Sequence, residues 1–362
     1  MSRTALLTGG TGLVGVYLLR ELIRNDTFDR VVALSRDKGG TCAGKRIFSE
    51  LSKITTPEEL KRADKIVTLP GDISQDSLGM EKHCYQDVAS GITDIFHCAA
   101  DTAFNRSIEE IRRINVEGTL NMLEFAGNCR DLNGFYHMST IVVAGDRRGI
   151  AYEDDLDVGQ AFRNTYEQSK FEAEKAVSAA CSAGLPTNIF RIGIVTGDSL
   201  TGYTNNFKML YQPLHLASLG LFKILPVDPE STPSVCQVDS TAAAILSIVM
   251  SDMNVSGKTY HIVKPDPVRL VDLLFAASEY FGFKMPQCVS AADFDFLSIT
   301  PLQNKLLEAH LPYFNYYLRF DTRNADAVFE RTGFKWPPID KPYLYRLFEF
   351  CEKNAFIKKR KR

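Results

Sequence analysis

Short apolar runs alternate with amphipathic stretches through the first half of the chain. The apolar runs predict strands at 4–8, 31–35, 65–69, 95–98, 134–139 and 188–192. Between the strands, apolar residues recur every three or four positions, which predicts helices over 13–23, 108–125 and 166–180. This alternation is typical of an α/β fold, a doubly wound parallel sheet with helices on both faces.

The pattern becomes irregular after about residue 196, where glycines and prolines interrupt it. A helix beginning at Asp239 and a strand over 258–263 are the clearest later elements. We therefore expect residues 1–196 to form a first domain, to which 234–263 returns. Residues 197–233 and 264–362 are expected to form a smaller, discontinuous second domain.

Three glycines follow the first predicted strand at the start of the first predicted helix: Gly9, Gly12 and Gly15. The first permits a tight turn, the second allows close approach of a pyrophosphate, and the third lets helix and strand pack closely. The unpaired N–H groups of the helix then face the phosphates. This segment predicts a Rossmann-like dinucleotide site that includes Thr8, Gly9, Thr11, Gly12, Leu13, Val14 and Gly15.

Arg36 ends the second predicted strand, where an acidic residue would bind the ribose of NAD. A guanidinium pairs instead with the 2′-phosphate of NADP. The sequence therefore predicts NADPH as cofactor and an NADP-binding first domain. An exposed loop arginine is the alternative.

Small and polar residues also follow the third and fourth predicted strands. Asp72 and Ile73 come after the third, and Ala99 and Ala100 after the fourth. Ligands bind at the carboxyl ends of strands in open α/β sheets, so we expect these four residues to contact the cofactor. Each could equally be part of a simple turn.

The candidate catalytic residues are Tyr166, Lys170 and Thr140. The first two lie four residues apart, on one face of a predicted helix. An ammonium beside a phenol should lower the tyrosine pKa towards neutral pH and suit it for proton transfer. Thr140 ends the fifth predicted strand, where its hydroxyl can stabilise charge on a substrate oxygen, and Ser139 is the rival for that role.

These motifs resemble those of the extended short-chain dehydrogenases/reductases. The shared segments are TGGTGLVG at 8–15, NVEGT at 115–119, ST at 139–140, YEQSK at 166–170 and VD at 238–239. Three further segments are similar to the branch of thioester reductases and fatty acyl-CoA reductases: RIGIVTGDSLTG at 191–202, YTNNF at 203–207 and RFDT at 319–322. Ile192 departs from that branch, whose members usually have proline there.

The resemblance implies a catalytic triad of Thr140, Tyr166 and Lys170, with Lys170 also holding the nicotinamide ribose. It further implies cofactor contacts from Asn115, Ile192 and Ile194, and substrate contacts from Ser139, Thr140 and Asn206. The substrates it implies are acyl thioesters on coenzyme A or a carrier protein, reduced to an aldehyde or an alcohol.

Other functions on the same fold remain open. A ketone or hydroxysteroid reductase would use the same triad and cofactor. A nucleotide-sugar epimerase usually retains NAD, and a dehydratase would carry an acidic pair where Ile141 and Val142 stand. A catalytically silent cofactor sensor would typically have lost the tyrosine or the lysine. The apolar run 207–225 could line an acyl channel or form ordinary core.

The composition gives no case for other partners. A formal net charge of −2 does not favour nucleic acid, and no apolar stretch approaches the ~18 residues of a membrane span.

The first strand begins almost at the N-terminus, without a recognisable signal peptide, so we expect a cytoplasmic protein. No two of the eight cysteines lie two or three residues apart, so no metal site is expected. The basic tail at 358–362 is expected to be a solvated terminus, and the oligomeric state stays open.

Overall fold

The computed structural model describes residues 3–253, 255–308 and 311–360, so the last two residues of the basic tail lie outside the described residues. The strands are β1 (Arg3–Thr8), β2 (Phe28–Ser35), β3 (Ile66–Pro70), β4 (Asp94–His97), β5 (Gly134–Thr140), β6 (Ile150–Ala151), β7 (Thr187–Ile192), β8 (Ile194–Thr196), β9 (Ile224–Leu225), β10 (Val235–Gln237), β11 (Thr259–Ile262), β12 (Gln287–Cys288) and β13 (Arg319–Phe320).

Seven of the described strands form the main sheet, in the order β3-β2-β1-β4-β5-β7-β11, and all its pairs are parallel. The strand order reverses between β1 and β4, which opens a crevice at their carboxyl ends. This is a Rossmann-like, doubly wound α/β fold, which confirms the predicted fold class. The later strand prediction at 258–263 corresponds to β11, which extends the sheet beside β7.

The helices lie on both faces of this sheet and in the region that follows it. They are α1 (Leu13–Arg24), α2 (Ala43–Leu51), α3 (Pro57–Leu60), α4 (Lys82–Gly91), α5 (Ile108–Arg112), α6 (Gly118–Gly127), α7 (Thr165–Ser182), α8 (Tyr211–Ser218), α9 (Val238–Val249), α10 (Leu270–Phe281), α11 (Pro301–Glu308), α12 (Leu311–Phe314), α13 (Arg323–Thr332) and α14 (Lys341–Lys353). None of those in the described ranges is long and apolar enough to cross a bilayer.

The helix predicted over 108–125 differs from the structure in one respect. A π-helical turn, Arg113–Glu117, joins α5 to α6 and makes them one continuous helical segment. The segment begins with a capping box, in which the Ser107 hydroxyl accepts from Glu110 N–H and the Glu110 carboxylate accepts from Ser107 N–H. A π-turn inserts one residue into the helix and often occurs at functional sites.

Apolar side chains pack into a separate core on each face of the sheet. Helices α1, α9 and α13 contribute to the core on one face, where Ala325 and Val328 bring in the C-terminal part of the chain. Helices α4, α6 and α7 contribute to the core on the other face. Helices α8, α10 and α14 share a further core. The division into domains at residues 196, 233 and 263 stays a prediction.

Candidate active site

The glycine loop makes a turn that side chains would block. Gly9 has φ +74°, and Gly12 N–H donates to the Gly9 carbonyl at 2.9 Å. A Cβ on Gly15 would lie 2.1 Å from Gly9 O, and one on Gly9 would lie 2.7 Å from Ala99 N. The glycines therefore let the backbone turn tightly at the N-terminus of α1, which lines the cleft. This cradle fits a dinucleotide pyrophosphate.

Thr8 fastens the loop after β4 to the end of β1. Its Oγ1 accepts hydrogen bonds from the N–H groups of Cys98 at 3.2 Å and Ala99 at 3.1 Å. The Thr8 side chain is fully buried, so it shapes the crevice from beneath.

Two arginines, Arg36 and Arg46, are neighbours where the 2′-phosphate is predicted. Arg36 Nη1 lies 3.6 Å from Asp72 Oδ2, and the Arg36 side chain is half exposed. Arg46, from α2, donates to Arg36 O at 2.5 Å and to Thr11 Oγ1 at 3.5 Å. Arg36 and Arg46 therefore leave a positively charged corner beside the glycine loop.

The π-turn holds Asn115 in the protein interior. Its Oδ1 accepts from Asp101 N–H at 2.8 Å, and its Nδ2 donates to Asp101 O and to Ser169 Oγ, both at 2.9 Å. Asn115 thus ties the loop after β4 to helix α7. Its side-chain amide is engaged with protein atoms on both sides, and Asn115 is not among the residues that line the crevice.

Tyr166, Lys170 and Thr140 share one cleft of about 480 Å³ with the glycine loop. Asn164 caps α7 by accepting from Glu167 N–H at 3.0 Å, which places Tyr166 in the first helical turn and Lys170 one turn later. The Thr140 side chain lies close enough to the Tyr166 hydroxyl to lower its pKa. Two hydroxyl groups therefore lie near each other at the carboxyl end of β5.

Lys170 is almost completely buried, with 2% of its surface exposed. Its Nζ donates to the Met138 carbonyl at 2.9 Å and lies 3.1 Å from His137 Nε2. Burial lowers the pKa of Lys170 to about 8, although Glu174 and Cys98 oppose this.

The expected lowering of the Tyr166 pKa is wrong for this structure. Burial raises the pKa of Tyr166 to about 12, and the nearby Thr140 side chain offsets only part of that effect. The physical reason is that the Lys170 ammonium is directed at Met138 and His137. Tyr166 is consequently a protonated donor at neutral pH.

Ser139 lines the cleft, but its hydroxyl hydrogen already takes part in a hydrogen bond within the protein. It donates to Glu174 Oε1 at 2.5 Å, and Glu174 forms a buried ion pair with Arg191 at 2.8 Å. This leaves Thr140, rather than Ser139, with a hydroxyl directed towards Tyr166.

The cleft brings together many of the residues predicted from sequence. These are Gly12, Leu13, Val14, Gly15, Ala100, Ser139, Thr140, Tyr166, Lys170, Ile192, Ile194 and Asn206. The predicted residues outside its lining are Thr8, Gly9, Thr11, Arg36, Asp72, Ile73, Ala99 and Asn115. Among these, Ile73 is buried against Gly118, where a Cβ would lie 2.8 Å from Ile73 Cδ1.

Sequence reasoning missed several lining residues, most of which belong to irregular segments. They are Thr102, Phe104, Asn105, Lys208 and Met209, together with Gln212 at the start of α8. Met209 has φ +46°, a conformation that costs energy for a non-glycine residue and often occurs at functional sites. No periodic pattern marks these positions.

Part of the apolar run 207–225 forms ordinary core, and part of it lines the cleft. Leu210, Tyr211 and Leu214 are buried in the core shared by α8, α10 and α14. The side of this run that faces the cleft carries Lys208, Met209 and Gln212 instead.

No group of three potential His, Cys, Asp or Glu ligands for a metal occurs among the described residues. The site is instead a glycine cradle joined to a Thr/Tyr/Lys cluster, and this combination defines a nucleotide-dependent site of the short-chain dehydrogenase/reductase class.

The chain belongs to the male sterility protein family of NAD-binding domains, whose model matches residues 7–245. This confirms the branch that the sequence motifs indicated. One similar protein is the nonribosomal peptide synthetase asaC of Aspergillus flavus, 30% identical over 280 residues. The match covers 74% of this chain but only 26% of that synthetase, so the chain spans about a quarter of its length.

Two solved structures are similar over nearly the whole chain. The terminal R domain from the myxalamid PKS-NRPS biosynthetic pathway superposes with a TM-score of 0.85 and 27% identity, covering 99% of this chain and 93% of that one. A thiolation-reductase di-domain from an archaeal nonribosomal peptide synthetase superposes with a TM-score of 0.78 and 21% identity, covering 99% of this chain and 77% of that one. The second likeness concerns the fold.

Proposed function

We propose that this protein is an NADPH-dependent reductase that converts an acyl thioester to an aldehyde or an alcohol. The observation that carries the proposal is the hydroxyl pair of Thr140 and Tyr166 in the cleft that also contains the glycine loop. Membership of the family and the likeness to the myxalamid R domain support it.

In this proposal Tyr166 and Thr140 bind the thioester carbonyl oxygen. NADPH, when bound along the glycine loop, supplies a hydride to the carbonyl carbon. Tyr166 donates its proton to the oxygen as charge develops there, and the Thr140 hydroxyl stabilises that charge. Breaking the C–S bond of the resulting hemithioacetal then gives an aldehyde and a free thiol. A second round of hydride and proton transfer would give the alcohol.

The proposed cofactor residues are those predicted from sequence apart from the buried Asn115 and Ile73, with Arg46 added. Arg36 and Arg46 supply two positive charges where NADP carries its 2′-phosphate and NAD does not. Lys170, with one ammonium hydrogen left after its bonds to Met138 and His137, would donate it to the nicotinamide ribose.

The proposed substrate is presented on coenzyme A or on a carrier protein. The relatives that suggest a carrier are a peptide synthetase and a structure that joins a thiolation domain to a reductase domain. A cytoplasmic location is proposed because the cysteines of the described residues are all free and the reaction releases a thiol, which suits a reducing compartment.

The test follows NADPH absorbance and free thiol together on a panel of acyl-CoA, acyl-pantetheine, ketone and nucleotide-sugar substrates. We expect thiol release in step with NADPH consumption for an acyl thioester. Activity on ketones or nucleotide sugars, without thiol release from any thioester, would move the protein to another branch of the superfamily.

Tyr166→Phe should reduce turnover by about 100-fold or more, since general acid catalysis contributes about 10²–10⁴-fold. Binding of NADPH, measured by fluorescence, should stay nearly unchanged because only a proton donor is removed. A variant that keeps most of the wild-type rate would show that another group donates the proton.

A further inference from the structure

A row of buried polar side chains crosses the main sheet beneath the cleft. Thr8 on β1 is in register with His97 on β4, and His97 is in register with His137 on β5. The two imidazole rings lie 5.4 Å apart and both are buried. Lys170 extends from α7 onto the last member of this row, at 3.1 Å from His137 Nε2.

The hydrogen bonds fix the tautomer of His97. Thr8 Oγ1 already accepts two backbone N–H groups, so its own hydrogen is donated to His97 Nδ1 at 2.9 Å. His97 Nε2 therefore carries the ring proton and donates to Thr119 Oγ1 at 3.1 Å. The Thr119 hydroxyl donates in turn to Asn115 O at 2.7 Å. Every polar atom of His97 has a structural partner.

His137 differs from His97 in this respect. An ammonium can only donate, so His137 Nε2 accepts from Lys170 and the ring proton is on Nδ1. No acceptor within the described residues reaches His137 Nδ1. The lysine contact is thus the single hydrogen bond of a completely buried imidazole ring. An apolar residue of similar size would fill this place at lower cost if packing were the only requirement.

We propose that His137 is a positioning residue for Lys170: its Nε2 anchors the ammonium below Tyr166 and stabilises its charged form. The proposal rests on the proposed function, because Lys170 matters for turnover only if the cleft binds a dinucleotide. Met138 O and His137 Nε2 accept two of the three ammonium hydrogens. These two bonds set the orientation of the ammonium group and leave its third hydrogen for the cofactor ribose.

The groups that face the ammonium come from four elements. Cys98 lies in the loop after β4, Glu174 lies one turn away on α7, and His137 lies on β5 with His97 of β4 behind it. Burial keeps the pKa of His137 well below its usual range, so the ring stays neutral and remains an acceptor throughout the range of the test. Loss of this acceptor should favour the uncharged lysine.

The experiment compares His137→Leu, which has no acceptor, and His137→Asn, whose amide oxygen is about one bond short of the position of Nε2, with His137→Gln, whose amide oxygen has about the reach of Nε2. Tyr136→Phe is the control: Tyr136 is buried on the same strand but packs in the core on the opposite face of the sheet. The lysine pKa is read by NMR titration of isotope-labelled lysine, with Lys170→Arg assigning the signal.

We expect Leu or Asn at position 137 to lower the Lys170 pKa by about 1. The reason is that a hydrogen bond to a charged group stabilises the charged form by an amount that corresponds to a pKa change of about 1 or more. The basic limb of kcat/KM for NADPH should move to lower pH by the same amount. Gln should restore both values, and Tyr136→Phe should change neither. An unchanged lysine pKa in a folded Leu or Asn variant, or a folded Gln variant without restoration, would overturn the proposal.

The two readouts separate this proposal from the proposed function. The NMR titration needs no substrate, so it tests the His137–Lys170 contact even if no thioester is reduced. Absence of turnover together with the expected pKa changes would count against the proposed reaction alone.

Discussion

At the scale of single residues, burial decides the protonation states in the cleft. Burial raises the pKa of Tyr166 and lowers that of Lys170. The tyrosine is therefore held in the form that gives a proton, as a reductase requires. The pKa of Lys170 lies close to neutral pH. Small changes in its surroundings therefore alter the fraction of molecules in which this lysine is protonated.

Replacement of Lys170 by methionine should change the pH dependence of stability while removing activity. The unfolded lysine keeps its proton up to about pH 10.5, whereas the folded one loses it from about pH 8 upwards. Wild-type stability should therefore rise with pH between these values, and the charged lysine destabilises the fold below pH 8. Lys170→Met should remove this rise, but its gain at pH 7 is offset because Met138 O and His137 Nε2 lose their donor. Urea denaturation at pH 7 and pH 10 checks this, and a variant whose stability rises with pH as steeply as that of the wild type would contradict it.

Arg36→Ala should reduce the preference for NADPH over NADH by about 10- to 100-fold, because a charge-assisted hydrogen bond contributes about 1.5–3 kcal/mol. The measurement is the ratio of kcat/KM for the two cofactors. Arg30→Ala is the control, because Arg30 is exposed near the opposite end of β2. A wild-type enzyme that uses both cofactors equally would exclude a 2′-phosphate role for Arg36.

At the scale of elements, the contact between the glycine loop and α1 leaves no room for a side chain at Gly15. Gly15→Ala should cost about 1–3 kcal/mol of stability or more, since its Cβ would lie 2.1 Å from Gly9 O. Gly10→Ala should cost little, because its Cβ would make an ordinary 3.6 Å contact with Leu7. Chemical denaturation of both variants gives the comparison. Equal losses would show that the loop can shift to accept a side chain.

The regular elements were predictable from sequence because their apolar residues face a core at fixed spacing. The strand predicted over 188–192 and the helix over 13–23 differ from β7 and α1 by one residue at one end. The π-turn at Asn115 was not predictable, because its extra residue does not disturb the apolar pattern on either side. His137 was also missed: it reads as one more position of a buried strand, and only packing against α7 reveals its partner.

At the scale of the whole molecule, Glu153 connects distant parts of the chain. Its carboxylate accepts from His261 N–H at 2.9 Å in β11 and from Asn324 N–H at 2.7 Å in α13. This fixes the start of α13 against β11 at the outer edge of the sheet. Sequence patterns could not foresee the connection, because nothing local relates residue 153 to residues 261 and 324.

Burial raises the pKa of Glu153 to about 7. Between about pH 4.5 and pH 7 the folded protein holds a proton that the unfolded chain releases, so this group makes stability fall as pH rises through that window. Glu153→Gln should remove about 1–3 kcal/mol of this pH dependence. The difference in unfolding free energy between wild type and variant, measured at pH 5 and pH 8, tests this. A difference that does not change with pH would contradict it.

The place of β11 in the sheet has a consequence for synthesis on the ribosome. Residues 193–258 separate β7 from β11, its outer neighbour in the sheet. At about 5–20 residues per second, the ribosome takes about 3–13 s to translate them. Until β11 is made, β7 is an edge strand whose six side chains are all destined for the interior. Such an edge is a template for pairing with another nascent chain. Pauses before β11 has left the ribosome therefore prolong the exposure of that edge, whereas later pauses come when β11 can already cover it.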